Sequence, residues 1–165
     1  AACELHPEEA NVLRDTFATH NLGTAATFHA FLQPMRLRGR GTLVGVASVN
    51  AMRGLPGHGA TCASKAALVS YCESLRVECR ASGVRVVTLL PGYVATPLTA
   101  ANTYSMPFLL QPQDFAERAY RAISAGRSYA VIPWQMAWVA KALRLLPNAL
   151  FDRLFAGRGR KARRA

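Results

Sequence analysis

The chain has 165 residues, 51% hydrophobic and 18% charged, with 20 Lys and Arg against 9 Asp and Glu for a formal charge of +11. That length and composition fit one folded domain with a real core and exclude a disordered chain. There is no apolar run of about 18 residues and no basic-then-apolar leader pattern in residues 1–20, which argues against a spanning helix and a secretory signal.

Pro7 followed by Glu8 and Glu9 reads as a first helical turn, with acids where the helix dipole favours them. Val12, Leu13, Phe17, Leu22, Ala26, Phe28, Phe31 and Leu32 extend an apolar face, so residues 7–38 are predicted helical until Arg38-Gly39-Arg40-Gly41 breaks the pattern. Thr42–Ser48 is short and apolar on both sides, the pattern of a strand buried on two faces of a parallel sheet. A glycine-containing loop leads to a helix over 61–82, which Gly83 stops. The next strand is 84–90, ending at Pro91-Gly92, and a loop over 93–111 follows. A helix over 113–125, a strand over 129–132 and two helices split by Pro147 complete the chain. Helices alternating with strands predict crossover connections and a parallel α/β sheet.

The charge is uneven. Arg158, Arg160, Lys161, Arg163 and Arg164 crowd the last eight residues, and Arg36, Arg38 and Arg40 form a second cluster. No nucleic-acid motif accompanies them, so 156–165 is expected to be a solvated, disordered basic tail behind a single domain over 1–155. Cys3, Cys62, Cys72 and Cys79 show no C-x-x-C spacing. They are expected as free thiols in a reducing cytoplasm, with no metal site. Trp134–Leu146 is aromatic and cationic, which suits core, a lid over an apolar pocket, or a peripheral membrane contact. With Met106–Leu110 it hints at a lipophilic substrate.

Sites in open α/β sheets lie at the carboxyl ends of the strands. Ser48 ends one predicted strand, and Pro91-Gly92-Tyr93-Val94-Ala95-Thr96 leaves the next. Thr61 and Lys65 share one helix face. Taken singly, Ser48 reads as a turn cap, Lys65 as a solvated lysine and Asn21 as a surface helix residue; their order changes the reading. His58 and Tyr93 occupy loops from which a proton could be supplied, whereas His20 and His29 read as ordinary helix residues. The loop Gly54-x-x-Gly57-x-Gly59 does not have the G-x-G-x-x-G spacing and reads as turn glycines.

Four separated motifs resemble the short-chain dehydrogenase/reductase family. Asn21 in His20-Asn21-Leu22-Gly23, Ser48 in Val46-Ala47-Ser48, Lys65 in Ala63-Ser64-Lys65-Ala66-Ala67, and Pro91-Gly92-x-Val94-x-Thr96 occur in the family's order. The resemblance implies a Rossmann-like, doubly wound parallel sheet, here incomplete with about three strands. It implies NAD or NADP as cofactor and hydride transfer to or from a carbonyl or alcohol. Ser48 would bind the substrate oxygen, Lys65 the cofactor ribose, Asn21 a relay water, and Pro91, Gly92, Val94 and Thr96 the nicotinamide side. It also implies a homodimer through the helices over 8–38 and 61–82. The family's proton-donating tyrosine position holds Thr61, and no glycine occurs in residues 1–20. The expectation is therefore a truncated C-terminal portion, either enzyme or non-catalytic dimerisation module.

Overall fold

The computed structural model describes residues 7–100, 102 and 105–156. The first helical region is α1 (Pro7–Phe17) and α2 (Gly23–Leu37), joined by a π-helical turn at Ala18–Leu22. The sequence predicts one uninterrupted helix there. A π turn inserts a residue without ending the helix, so the apolar pattern does not betray it. Beyond it the Thr24 and Thr27 hydroxyls donate to the His20 and Gly23 carbonyls, 2.8 Å each.

Strand β1 (Gly41–Val46) runs into a 3-10 turn at Val49–Ala51, then α3 (Gly59–Glu78). This helix ends four residues before the predicted bound, because Arg80–Ser82 already turn toward β2 (Val84–Pro91). The segment predicted as open loop is partly organised. It holds α4 (Pro97–Ala100), and Leu110 returns to bridge Val94, its N–H donating to the Tyr93 carbonyl at 3.0 Å. Helix α5 (Pro112–Ser124) begins on a proline suited to a first helical position. Strand β3 (Tyr129–Ile132), α6 (Gln135–Leu145) and α7 (Asn148–Phe155) follow. Of the basic tail, 157–165 lies outside the described residues, as does Cys3.

The three strands are parallel in the order β1-β2-β3, so the expected α/β, doubly wound sheet is present and small. Even-numbered residues of β2, with Leu43 and Ala47, pack against α2 and α3 through Phe28, Leu68, Cys72 and Leu75. Val87 and Leu89 face the other way, onto Ala119 and Ala122 of α5. Leu90 and Cys72 are fully buried at the first interface, and each buried leucine contributes about 1.5–3 kcal/mol. Phe28 stacks on Tyr71 with centroids 6.3 Å apart, tying α2 to α3.

β1 differs from the two-sided burial that its sequence predicts. Leu43 and Gly45 are buried, but Val46 is 47% exposed. Helix α5 lies over β2 and β3, and β1 pairs only with β2 among the described residues, so its outer edge is open.

Candidate active site

The register carries the site. Val46 stands beside Leu89, and the Ala47 N–H donates to the Leu89 carbonyl at 2.8 Å. Continuing that register puts Ser48 beside Pro91, so both lie at the carboxyl end of the sheet. Ser48 is extended and accepts the Asn50 N–H on Oγ at 3.2 Å, which caps the 3-10 turn. That turn packs on α3, the helix carrying Thr61 and Lys65.

Lys65 reaches the open end of β1. Its ammonium donates to the Val46 carbonyl at 2.9 Å, and burial holds its pKa below the ordinary lysine range. The π turn meets the same stretch of α3. The Asn21 amide Nδ2 donates to the Ser64 carbonyl at 3.0 Å, while its Oδ1 is buried with no hydrogen-bond partner among the described residues. His20 Nδ1 lies 3.0 Å from Ser64 Oγ, and Ser64, fully buried, donates to the Thr61 carbonyl at 3.1 Å. With the Ser64 hydrogen so committed, Nδ1 is the donor to Ser64 Oγ. Thr61, half-buried, stands one turn before Lys65.

His20 is therefore not an ordinary helix residue. Its residue type carried no signal; the π turn, absent from the sequence pattern, aims it at α3. Burial chiefly, and then the charge of Lys65, push its pKa below the usual histidine value. The folded state thus resists protonating a ring that the unfolded chain protonates below about pH 6.5. Stability is full above that pH and falls as pH drops through it. Urea unfolding between about pH 7.5 and pH 5.5 should show this loss, and His20→Gln should flatten it; an unchanged slope in the variant would assign the loss elsewhere.

The Pro91-Gly92 turn is fixed by neighbours. The Gly92 N–H donates to the Ile132 carbonyl at 2.8 Å, and a Cβ there would fall 2.9 Å from Met136 Cγ. Thr96 N–H donates to Thr99 Oγ1 at 2.9 Å, and that hydroxyl donates to the Val94 carbonyl at 2.7 Å. Val94 and Thr96 are thereby held as one closed turn beyond β2. In the loop before α3, Gly57 has φ +76°, whereas Cβ atoms on Gly54 and Gly59 would meet nothing within 4 Å. Of the three expected turn glycines only Gly57 lies in a turn; Gly54 stands in irregular loop and Gly59 is the first residue of α3.

Two further features have weak sequence signals or none. Arg53, five residues after Ser48, clamps the α6–α7 turn some 90 residues away. A shallow depression of about 480 Å³ lies between Arg38, Arg40 and Arg85, at the amino end of the sheet and so opposite the candidate site. Among the described residues no cluster of three His, Cys, Asp or Glu side chains is placed to hold a metal. No helix there is long and apolar enough to cross a membrane.

A Rossmann-like parallel α/β sheet with serine, lysine and asparagine near its carboxyl end belongs to the class of open α/β folds that bind ligands beyond the carboxyl ends of their strands. The family model for short chain dehydrogenases matches residues 3–106. The chain belongs to the short-chain dehydrogenase/reductase family. It is 45% identical over 140 residues to an uncharacterised oxidoreductase of Myxococcus xanthus, covering 85% of this chain and 55% of that one. It is 30% identical to dehydrogenase/reductase SDR family member 7B of Danio rerio, covering 92% and 52%. A short chain dehydrogenase from Burkholderia cenocepacia, solved in complex with NADP, superposes with TM-score 0.77 at 26% identity, covering 93% of this chain and 62% of that one. The chain thus spans about half the length of the relatives it matches.

Proposed function

We propose that this chain carries the substrate-binding, nicotinamide-facing half of an NAD(P)-dependent carbonyl/alcohol oxidoreductase. The observation that carries the reading is the gathering of Ser48, Thr61, Lys65 and the Asn21 turn around the carboxyl end of β1. The residues present suit one end of the cofactor. Lys65 is a half-buried donor beside β1, Asn21 Oδ1 is a buried acceptor without a partner among the described residues, and the Thr99 hydroxyl closes the turn at Val94 and Thr96. No glycine-rich phosphate cradle is found among the described residues. When bound, the nicotinamide supplies or accepts the hydride. Ser48 Oγ would donate to the substrate oxygen, and Lys65 would hold ribose hydroxyls with its ammonium. Pro91, Gly92, Val94 and Thr96 would line the nicotinamide side. The NADP complex of the Burkholderia relative supports a nicotinamide cofactor, and the free, buried Cys62, Cys72 and Cys79 suit a reducing, cytoplasmic compartment.

Thr61 is the weak point of proton transfer. An aliphatic hydroxyl is a far poorer acid than a phenol and reaches less far; losing a positioned general acid costs about 10²–10⁴ in rate. Titrating the chain with NADH and NADPH, followed by nicotinamide fluorescence, tests cofactor binding directly; binding of neither sinks the enzyme reading. If either binds, Thr61→Tyr should raise carbonyl-dependent NAD(P)H oxidation by about 10²-fold or more.

Thr61 also favours a second reading, a non-catalytic module that keeps the dimer face. Leu22 of the π turn, Phe31 of α2, and Tyr71 and Val77 of α3 expose apolar surface on the helical layer. A homodimer is expected by size exclusion with light scattering, and Phe31→Glu should shift it to monomer. A wild-type chain that runs as a monomer removes this reading.

A further inference from the structure

Helices α6 and α7 present apolar surface outward. Met136 and Ala140 are buried against the domain, while Trp134 and Trp138 are each 65% exposed and Leu145 is 73% exposed. At helical spacing Trp134, Trp138, Lys141 and Leu145 form one outer stripe. Leu150 and Leu154 are exposed on α7, whose Phe151 is buried instead. Arg53 ties the α6–α7 junction to the domain, donating to the Leu146 carbonyl at 2.6 Å and lying over the Phe151 ring.

We propose that this face docks on a lipid bilayer bearing anionic headgroups. Charge selects that occupant. From residue 134 onward the sequence holds eight Lys and Arg and one acid, Asp152. Lys141 Nζ sits 5.7 Å over the Trp138 ring, and Arg144 and Arg153 are exposed beside the leucines. The five cations of 158–164 follow α7 directly in sequence. An apolar stripe with indoles at its level and cations at its margins fits the interface between acyl chains and anionic headgroups. A second copy is a poorer occupant, since a two-fold contact would set these cations against themselves with almost no acid to meet them.

Trp134 and Trp138 are the chain's two tryptophans, so intrinsic emission reports on this face alone. The chain is mixed with vesicles of phosphatidylcholine alone or of phosphatidylcholine with phosphatidylserine, and co-sedimentation and emission are followed. Binding to the phosphatidylserine vesicles is expected, weakened by salt, with blue-shifted emission quenched by brominated lipid. Trp134→Ala/Trp138→Ala should weaken sedimentation about tenfold or more, and Arg144→Glu should weaken it while both indoles remain to report. Circular dichroism confirms that each variant folds. No binding to the anionic vesicles overturns the proposal. So does sedimentation with unshifted, unquenched emission, which would mean that the tail binds without the face. A blue shift that grows with protein concentration in the absence of lipid overturns it in favour of a second copy.

Discussion

Gly83→Ala is expected to destabilise the fold by about 3 kcal/mol or more, a large share of the 5–15 kcal/mol that holds a typical domain together. Two costs combine. Gly83 has φ +70°, where a side chain costs about 1–2 kcal/mol. Its Cβ would also collide with the Gly39 carbonyl, which is backbone and cannot rotate away. Gly39 and Gly83 occupy the two turns that feed β1 and β2, and their close approach precedes the Gly41–Val84 pair that opens the register. Relieving the collision means parting the strands at that end, and overpacking of this kind costs about 1–3 kcal/mol more. Gly54→Ala is the control: a Cβ there meets nothing within 4 Å and its φ is ordinary. Urea unfolding should separate the two variants clearly; equal stability would mean that the turns are not coupled.

The division between legible and hidden features follows from what sequence pattern encodes. β2 was legible because a strand between two helical layers must be apolar at nearly every position, as Val84–Leu90 is. Gly83 was legible as a helix stop, though not as the point where two turns touch, because Gly39 lies 44 residues earlier. Ser48 and Lys65 were found by their order along the chain. The carbonyl that receives Lys65 belongs to Val46, which no side-chain pattern marks. His20 was misread because its environment depends on a π turn. β1 was assigned two buried faces on composition alone; coverage depends on where α5 lies, and α5 lies over the neighbouring strands.

Arg53 shows the largest gap between sequence and structure, and Arg53→Met is expected to release the α6–α7 segment. The Arg53 Nη1 donates to the carbonyls of Leu143 and Leu146, the latter at 2.6 Å, and Nη2 donates to Asn148 Oδ1 at 3.1 Å. These carbonyls end α6, where the helix dipole welcomes a cation. The guanidinium also lies 3.9 Å from the Phe151 ring centroid. Hydrogen bonds to a charged group contribute about 1.5–3 kcal/mol, and a cation–π contact adds about 1 kcal/mol. Methionine fills similar volume and keeps none of these polar contacts, so a loss of about 3 kcal/mol is expected. Arg53→Lys keeps the charge without the planar fork and should recover less than half. The loss should be local first. Hydrogen exchange is expected to lose protection over 135–155 while the β2 amides keep theirs, because α6 meets β3 and the 49–51 turn whereas β2 is packed from both faces. The same turn begins one residue after Ser48, so freeing the α6–α7 segment also loosens the turn that Ser48 caps. Unchanged protection over 135–155 would mean that Met136, Ala140 and Phe151 hold the segment by packing alone, with Arg53 adding nothing.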